Sequence, residues 1–451
     1  MNTDPLSNLI GTHLSRRQVL QVGGLSAAGL LLGNRFGFSA VPPATAPRVA
    51  KAKAVIQIWM WGGPSHLDTF DPKPEAGSDY CGPLDKPIPT NADGMRICEL
   101  LPELAKQADK YSLIRSMTHN NNGHETAAYM VQTGHMDGDR LVYPSMGAVV
   151  SLLKGYEAGY TGLVPPYIVL TQPQGRFSEA GFLGPRYKPF ATGGDPAKTP
   201  FAVQGIVAEG VSERRQQERR ELLHNIDSLG HAMKDNPQLA EFNKSEEAAY
   251  DMILGKGAKI FDLKEESDAT RQMYGINTFG QSCLVARRLV ENGVRFITIN
   301  NNGWDTHKQH FQAMRQKLPV FDKGVAALLQ DLASRGLLEN TIVWCCGEFG
   351  RTPKVQWEAP WGGGRGHYGK VFSALVAGGG FRGGHVVGAS DARGEEVKER
   401  PVYPWDLIGS MYELLGIDPN GTFPRVSEGN VRLTQAITSG IKSGGLLKEI
   451  M

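Results

Sequence analysis

The stretch that most constrains the fold runs from Thr341 to Lys370 and reads TIVWCCGEFGRTPKVQWEAPWGGGRGHYGK. Its first six residues are apolar or β-branched, which is typical of a strand buried on both faces of a parallel sheet. Glu348 follows in a Gly-Glu-Phe-Gly step, and a glycine-rich loop leads to His367 before the next apolar run, Val371 to Ala377. Open α/β sheets bind ligands outside the carboxyl ends of their strands. We therefore expect Glu348 and His367 to face one crevice.

The rest of the chain repeats this order of short apolar run, polar loop and helical pattern. Strands are predicted at 54–61, 112–117, 167–170 and 294–299, and helices at 100–109, 145–154, 212–234, 238–254, 278–292, 309–334 and 405–415. Such alternation predicts an α/β fold, a mostly parallel central sheet with helices on both faces. We expect a single domain over residues 51–451, with an insertion at about 172–265 that covers one side of the crevice.

The first fifty residues predict export. Ser15-Arg16-Arg17-Gln18-Val19-Leu20 precedes a mildly apolar stretch, rich in Gly and Ala, that extends to Gly33. This pattern is typical of a twin-arginine signal, and the apolar stretch is too short for a comfortable membrane span. We expect residues 1–50 to be a signal and linker that engage the twin-arginine translocase. The mature protein would be periplasmic or secreted, with no stable membrane span after signal removal.

The charge content bears on the possible binding partners of the protein. The 451 residues include 48 basic and 46 acidic side chains, and no basic block is interleaved with aromatics, so nothing favours a nucleic acid as partner.

Five cysteines leave at least one unpaired in an oxidising compartment. Cys81 and Cys98 flank a turn-rich region and could pair. Cys345 and Cys346 are adjacent in a predicted strand, where core packing accounts for them better.

Six polar residues occupy predicted strand ends or the start of a predicted helix. They are Asp68, His124, Asp305, His307, Glu348 and His367. Imidazole and carboxylate ligands together suit zinc, iron or manganese, and such sites activate water or bind phosphoryl oxygens. Any one of these residues alone could equally be a hydrogen-bonded structural residue, and their shared placement is what favours a divalent metal. His66 and His310 are weaker candidates.

The order of these segments resembles that in the alkaline phosphatase superfamily, which includes sulfatases and nucleotide pyrophosphatases. It looks in particular like an exported branch known as a domain of unknown function. The residues that carry the likeness are Gly62 to Pro74 (GGPSHLDTFDPKP), Trp304 to His307 (WDTH) and Gly347 to Pro353 (GEFGRTP). The resemblance extends from about Ala54 to Pro419. It implies that superfamily's α/β sheet and a metal-binding site at the strand ends.

The resemblance also implies roles for single residues. In sulfatases and pyrophosphatases a nucleophile precedes a Thr-Gly pair; Thr133-Gly134 matches that pair, and His124 occupies the position of the nucleophile. Gly62-Gly63 replaces the acidic pair after the first strand and leaves Asp68 as a displaced metal ligand. The Asp-His-Gly step looks like Glu348-Phe349-Gly350, so one histidine ligand is missing, and we expect one metal rather than two. Its identity stays open among zinc, iron, manganese and calcium.

Two functions remain open from the sequence. The first is a metal-dependent hydrolase of small phosphate or sulfate esters, in which Asp305, His307 and His367 hold the metal. Glu348 would then be a fourth ligand or a base, His124 would face the reacting centre beside Thr126 as nucleophile or ligand, and Arg351 would stabilise anionic oxygens. The alternative is a catalytically inactive exported binding protein on the same fold.

Overall fold

The structure is a computed structural model. It describes residues 48–138, 140–172, 179–199, 201, 203, 218, 256–424, 431–435 and 440–451. Nearly all of the predicted export segment at 1–50 lies outside these residues. So does most of the predicted insertion, including almost all of the helices expected at 212–234 and 238–254.

The described strands and helices alternate as the sequence predicts. The strands are β1 (Ala54–Trp59), β2 (Ile88–Pro89), β3 (Arg96–Ile97), β4 (Tyr111–Met117), β5 (Tyr167–Leu170), β6 (Phe190–Ala191), β7 (Phe296–Asn300), β8 (Thr341–Cys346), β9 (Gly350–Arg351), β10 (His367–Tyr368), β11 (Phe372–Ala377), β12 (Val386–Val387), β13 (Ala389–Ser390) and β14 (Val397–Glu399). The α-helices are α1 (Ser78–Cys81), α2 (Pro102–Ala105), α3 (His124–Thr133), α4 (Met146–Val150), α5 (Lys256–Phe261), α6 (Asp268–Tyr274), α7 (Thr278–Glu291), α8 (His310–Ser334) and α9 (Pro404–Leu414).

Eight of these strands form the central sheet, in the order β12-β4-β11-β8-β1-β7-β5-β6. β1 is parallel to both β7 and β8, and β5 is parallel to both β7 and β6. Only β11 runs against its neighbours within this described sheet, pairing antiparallel with β4 and β8. The predicted fold class, a mostly parallel sheet in an α/β protein, is confirmed.

Two apolar cores cover the two faces of the sheet, because successive strand side chains point to opposite faces. Ile56 and Ile58 of β1 face the core that receives residues of α7 and α8. Val55 and Trp59 face the other core, which receives residues of α3, α4 and α9. Helices therefore pack on both faces, and the buried strands account for the nearly continuous apolar runs in the sequence.

The sheet topology brings the polar loops to one edge. Trp59, Asn300 and Cys346, the last residues of β1, β7 and β8, are register partners, so the three strands end side by side. β11 is antiparallel, so its first residue, Phe372, lies at this same edge, opposite Met117 at the end of β4. The segments that carry Asp68, His124, Asp305, Glu348 and His367 all leave or enter the sheet here.

The structure differs from the sequence prediction at one helix and at one suggested cysteine pair. The helix predicted at 100–109 is mostly wrong: only Pro102–Ala105 is α-helical, and Ala108–Lys110 is a 3₁₀ turn. All five cysteines are buried free thiols, so Cys81 and Cys98 are not paired in the structure. Within the described residues, no helix combines the length and apolar character needed to cross a membrane.

Candidate metal centre

Three side chains from distant parts of the chain converge at the carboxyl edge of the sheet. His124, Asp305 and His367 each offer one ligand atom, and these atoms lie within 4.8 Å of one another. His124 is the first residue of α3, Asp305 follows β7, and His367 begins β10. Four ligands at about 2.1 Å from a tetrahedral metal lie roughly 3.4 Å apart. The Asp305 carboxylate lies 3.4 Å from His124 Nε2 and 3.1 Å from His367 Nε2, which is close to that spacing.

His307 extends this group. Its Nε2 lies 2.9 Å from His367 Nε2 and 3.0 Å from Asp305 Oδ1. His367 Nε2 is itself 3.1 Å from the same Asp305 oxygen. Partial burial lowers the pKa of His307, and the nearby Arg351 and His367 reinforce that shift against the opposing effect of Asp305. A lowered pKa favours the neutral imidazole, which is the form that can bind a metal.

Hydrogen bonds on the far side of two imidazoles orient their Nε2 atoms. His367 Nδ1 lies 2.9 Å from the carbonyl oxygen of Asn122, and His124 Nδ1 lies 2.6 Å from Glu348 Oε1. Both partners are acceptors, so each Nδ1 carries a proton and each Nε2 faces the Asp305 carboxylate. The hydrogen bond to Glu348 raises the pKa of His124, so a metal bound at its Nε2 would displace a proton. The Trp61 ring stacks on His124 and the Phe349 ring on His367, with centroids 5.5 and 4.6 Å apart. The rings are thus held in place before any ligand binds.

Glu348 lies behind His124 and is fully buried. Its two carboxylate oxygens accept hydrogen bonds from the backbone N–H of Gly62 at 3.0 and 3.2 Å. Gly62 has a φ of +113°, and a Cβ there would lie 2.3 Å from the backbone nitrogen of Asp305. Only glycine lets the first loop approach this closely. In this geometry Glu348 orients His124, and the structure does not place it with the three converging ligand atoms.

Arg351 lies beneath Asp305 and is fully buried. Its guanidinium donates to Asp305, to the backbone oxygens of Gly62 and Gly63, and to that of Arg365. Partial burial of Asp305 favours its neutral form, but Arg351 and His307 outweigh that effect and lower the pKa of Asp305 to about 2. The geometry therefore does not support the expected contact between Arg351 and a substrate anion. Arg351 instead holds Asp305 ionised and in position.

Asp68 lies away from the converging atoms, in the interior. One of its oxygens is 2.8 Å from His310 Nε2 and 2.7 Å from Arg365 Nε, and all three side chains are fully buried. Burial opposes ionisation, yet Arg365 and His310 hold the pKa of Asp68 far below its usual value. These contacts occupy the carboxylate that the sequence suggested as a displaced metal ligand.

The remaining candidates also have specific partners. Thr126 donates its hydroxyl hydrogen bond to Asn121 Oδ1 at 2.9 Å, with the Gly123 carbonyl at 3.3 Å, so this hydroxyl is bonded to the loop that precedes α3. His66 is buried, and its Nε2 lies 2.9 Å from the carbonyl oxygen of Gly394.

The sequence pattern did not predict the residues that hold the candidate metal ligands and the neighbouring Asp68 in position. Arg365 lies in a glycine-rich loop, and only the structure shows that it pairs with the buried Asp68. The two-residue pairing of β9 with β10 was also missed, and it sets His367 opposite Arg351. Asn122 is the last of three consecutive asparagines, and its carbonyl accepts from His367 Nδ1.

A protein-family model for DUF1501, described as a protein of unknown function, matches residues 52–443. The chain belongs to the DUF1501 family. This match spans the central sheet and every residue of the candidate centre. No curated protein matches the sequence.

Solved structures similar to this DUF1501 chain include members of the alkaline phosphatase superfamily. The lipoteichoic acid synthase LtaP from Listeria monocytogenes is 9% identical, with a TM-score of 0.39 over 90% of this chain and 80% of that one. A protein in the alkaline phosphatase superfamily from Vibrio parahaemolyticus is 11% identical, with a TM-score of 0.37 over 90% and 76%. The alkaline phosphatase from the Antarctic bacterium TAB5 is 12% identical, with a TM-score of 0.34 over 81% and 98%.

Proposed function

We propose that this DUF1501 protein is a hydrolase of small phosphate or sulfate esters that depends on one divalent metal. The observation that carries the proposal is the convergence of His124, Asp305 and His367 on one point, with His307 beside them. The ester class rests on the motifs that resemble the alkaline phosphatase superfamily. The two histidines and one carboxylate fit zinc, iron or manganese better than calcium, which prefers oxygen ligands.

The candidate ligands suit a metal because His124, His367 and Asp305 are each held in position by a second residue. Asn122 and Glu348 orient the two imidazoles so that each Nε2 faces Asp305. Arg351 keeps Asp305 ionised, and its guanidinium is buried on the side of Asp305 away from solvent. His124, His307 and His367 are each partly exposed at 23–37% of their side chains, so a ligand can reach them.

A metal bound here would supply Lewis-acid stabilisation of an ester oxygen and would lower the pKa of a coordinated water. The protein residues would position the reacting groups. His124, oriented by Glu348, would hold the metal through Nε2, on the side that faces Asp305. None of the converging side chains carries a hydroxyl or thiol, and the Thr126 hydroxyl donates to Asn121 in the loop before α3. We therefore favour attack by water over a serine, threonine or cysteine ester intermediate.

The absence of a hydroxyl among the converging residues also motivates a second candidate, a catalytically inactive protein that binds an anionic ligand through the metal. The two candidates share the metal site and differ in turnover. Hydrolysis of a generic ester by the wild type and not by His124→Ala would exclude the binding-only function.

The decisive experiment combines metal content with turnover. Purified wild type, His124→Ala, Asp305→Asn and His367→Ala are loaded with zinc, iron or manganese, dialysed, and measured by elemental analysis and with 4-nitrophenyl phosphate and sulfate. The exposed His385 provides the control, His385→Ala. We expect stoichiometric metal and chelator-sensitive hydrolysis in the wild type and the control, and loss of both in the other three variants. No stoichiometric metal, with hydrolysis unaffected by chelator, would overturn the proposal.

We also propose that the chain is exported through the twin-arginine translocase to the periplasm or beyond. The support is the Ser15-Arg16-Arg17 sequence before an apolar stretch. Replacement of Arg16 and Arg17 by lysine should retain the full-length protein in the cytoplasm, whereas lysine at the mature Arg382 and Arg393 should not. Equal export of both double variants would refute this route.

A further inference from the structure

His119 lies beside the candidate metal centre and is not one of its converging ligands. It belongs to the loop that joins β4 to α3, and its ring is partly buried. Its Nε2 lies 2.7 Å from the carbonyl oxygen of Glu348, and its Nδ1 accepts a hydrogen bond from the backbone N–H of Asn121 at 3.1 Å. The two ring nitrogens therefore have opposite roles, because Nε2 donates to a carbonyl while Nδ1 accepts.

The His119 ring is neutral in this arrangement. A protonated imidazole would carry a hydrogen on both nitrogens and could not accept from Asn121. Partial burial lowers the pKa of His119 to about 4, although the hydrogen bond to Glu348 opposes the shift. The Phe372 ring of β11 contacts the imidazole, with centroids 5.0 Å apart. These contacts favour one tautomer and one orientation of the His119 ring.

One arm of this hydrogen-bonded relay leads to His124. Glu348 receives the Nε2 proton of His119 on its backbone carbonyl, and its carboxylate lies 2.6 Å from His124 Nδ1. The backbone N–H of Gly62 also donates to that carboxylate. A shift of the Glu348 backbone would therefore move the carboxylate that orients His124.

The other arm leads to His367. Asn121 is followed by Asn122, whose carbonyl oxygen lies 2.9 Å from His367 Nδ1. The Asn122 side chain accepts from the backbone N–H of Gly369 at 2.7 Å, which ties the loop to the segment just after β10. A shift of the Asn121 backbone would therefore move the carbonyl that orients His367.

Further contacts brace the loop that carries His119. The backbone N–H groups of His119 and Asn120 both donate to the Gly369 carbonyl, at 3.1 and 3.0 Å. A Cβ at Gly369 would lie 2.2 Å from the Asn121 carbonyl oxygen, so the loop and the segment after β10 are in close contact. The His119 ring is thus attached to a loop that is itself held in place.

We propose that His119 is a positioning residue of the metal centre. Through Glu348 it fixes the direction of His124 Nε2. Through Asn122 it fixes the direction of His367 Nε2. One ring that bonds both supports keeps two ligands from distant parts of the sequence in a fixed relation. That the centre holds a metal rests on the proposed function, whereas the hydrogen-bonded relay does not depend on it.

Three substitutions of His119 test this role. His119→Phe keeps a ring against Phe372 and removes both hydrogen bonds. His119→Gln places an amide nitrogen near the position of Nε2 and keeps the donor to Glu348. His119→Asn places an amide oxygen near the position of Nδ1 and keeps the acceptor for Asn121. The control is Tyr111→Phe, at the opposite end of β4, which removes a buried hydrogen bond to the Leu104 carbonyl.

Zinc affinity is measured by competition with a chromogenic chelator, and stability by urea denaturation of the metal-free protein. We expect His119→Phe to weaken zinc binding about 10–100-fold, because it releases the supports of two ligands. The Gln and Asn variants should lie between His119→Phe and the wild type, since each keeps one support. Tyr111→Phe should be less stable than the wild type but bind zinc within about twofold of it, because it lies far from the centre.

NMR of the histidine ring nitrogens in the metal-free protein gives a readout that needs neither zinc nor turnover. His119→Asn should shift the Nδ1 signal of His124 and leave that of His367 in place, because only the arm through Glu348 is broken. His119→Gln should do the reverse. His124→Ala and His367→Ala assign the two signals. A general loosening of the fold would instead move both signals in both variants.

The outcomes separate this inference from the proposed function. Selective NMR shifts, with no zinc bound by the wild type, would support the positioning of the two imidazoles by His119 and remove the metal-dependent hydrolase. Zinc binding and hydrolysis by the wild type, with His119→Phe matching Tyr111→Phe in zinc affinity, would overturn the inference and leave the hydrolase standing. If His119→Phe does not fold, the Gln and Asn variants decide, and equal shifts of both signals, or none, would overturn the inference.

Discussion

His310 Nε2 lies 2.8 Å from Asp68 Oδ2, and both side chains are completely buried below the candidate metal centre. On its other side, His310 Nδ1 lies 2.6 Å from the Thr306 hydroxyl. Thr306 stands between Asp305 and His307, so this buried histidine links the loop of the metal ligands to the first loop of the sheet edge. Burial lowers the pKa of His310 despite Asp68, and the neutral ring accepts from Thr306 while it donates to Asp68.

We predict that His310→Ala destabilises the fold by about 2–3 kcal/mol, because it removes a buried hydrogen-bond partner from Asp68 and one from Thr306. Urea denaturation of the mature protein measures the change. The control is His385→Ala, at an exposed histidine, which should alter the free energy of unfolding by less than about 0.5 kcal/mol. Similar values for the two variants would show that the His310 network does not stabilise the protein.

Glu348 and His124 should act as one unit in metal binding. Glu348→Gln keeps the shape of the side chain but weakens its bond to His124 Nδ1, and removal of such a supporting carboxylate costs about 10–100-fold in metal affinity. In a His124→Ala background the same change should cost much less, which a double-mutant cycle on metal affinity measures. Additive effects of the two substitutions would argue against this role of Glu348.

Gly364 should tolerate no side chain. A Cβ at this position would lie 1.7 Å from the carbonyl oxygen of His307, so Gly364→Ala must displace the loop that carries Asp305 and His307. We expect a loss of about 2 kcal/mol or more in stability, with weaker metal binding. Gly366→Ala is the neighbouring control, since its nearest obstacle is the Thr352 methyl at 3.3 Å. Thermal melts and metal titrations should separate the two variants; equal effects would refute the steric argument.

Asp322 should make stability depend on pH. It accepts from the backbone N–H groups of Glu103 and Leu104 at 2.8 and 2.7 Å, yet burial raises its pKa to about 6. Between its ordinary value of 3.8 and about 6, the folded state binds more protons than the unfolded state. This group therefore adds stability at low pH that is lost as pH rises through 6, at a slope of up to about 1.4 kcal/mol per pH unit.

The check is urea denaturation of the wild type and Asp322→Asn at pH 4.5, 5.5 and 7. The difference in the free energy of unfolding between the two should shrink or reverse toward pH 7. Asp418→Asn, at a surface carboxylate paired with Arg48, is the control and should show no such trend in this range. A difference that is constant with pH would contradict the raised pKa of Asp322.

The sequence by itself determined the layers of the fold. Runs such as Thr341–Cys346 and Phe372–Ala377 are apolar throughout because both faces of the sheet are covered, and α8 follows from its helical spacing of apolar residues. The start of the helix expected at 100–109 depends on a distant residue, because its first N–H groups are capped by Asp322, more than two hundred residues away. Chain order also placed His124, Asp305, Glu348 and His367 at the ends of elements.

Only the tertiary structure decided which of those residues meet. Asp68 and His310 have the same residue types and similar loop positions as Asp305 and His307, yet they pair with each other in the interior, while Asp305 and His307 face solvent beside His367. The difference depends on strand register, on Gly62 and on Arg351 and Arg365, which hold one carboxylate each. Side-chain direction in a loop is set by such contacts between distant segments, and a local pattern of residues does not contain them.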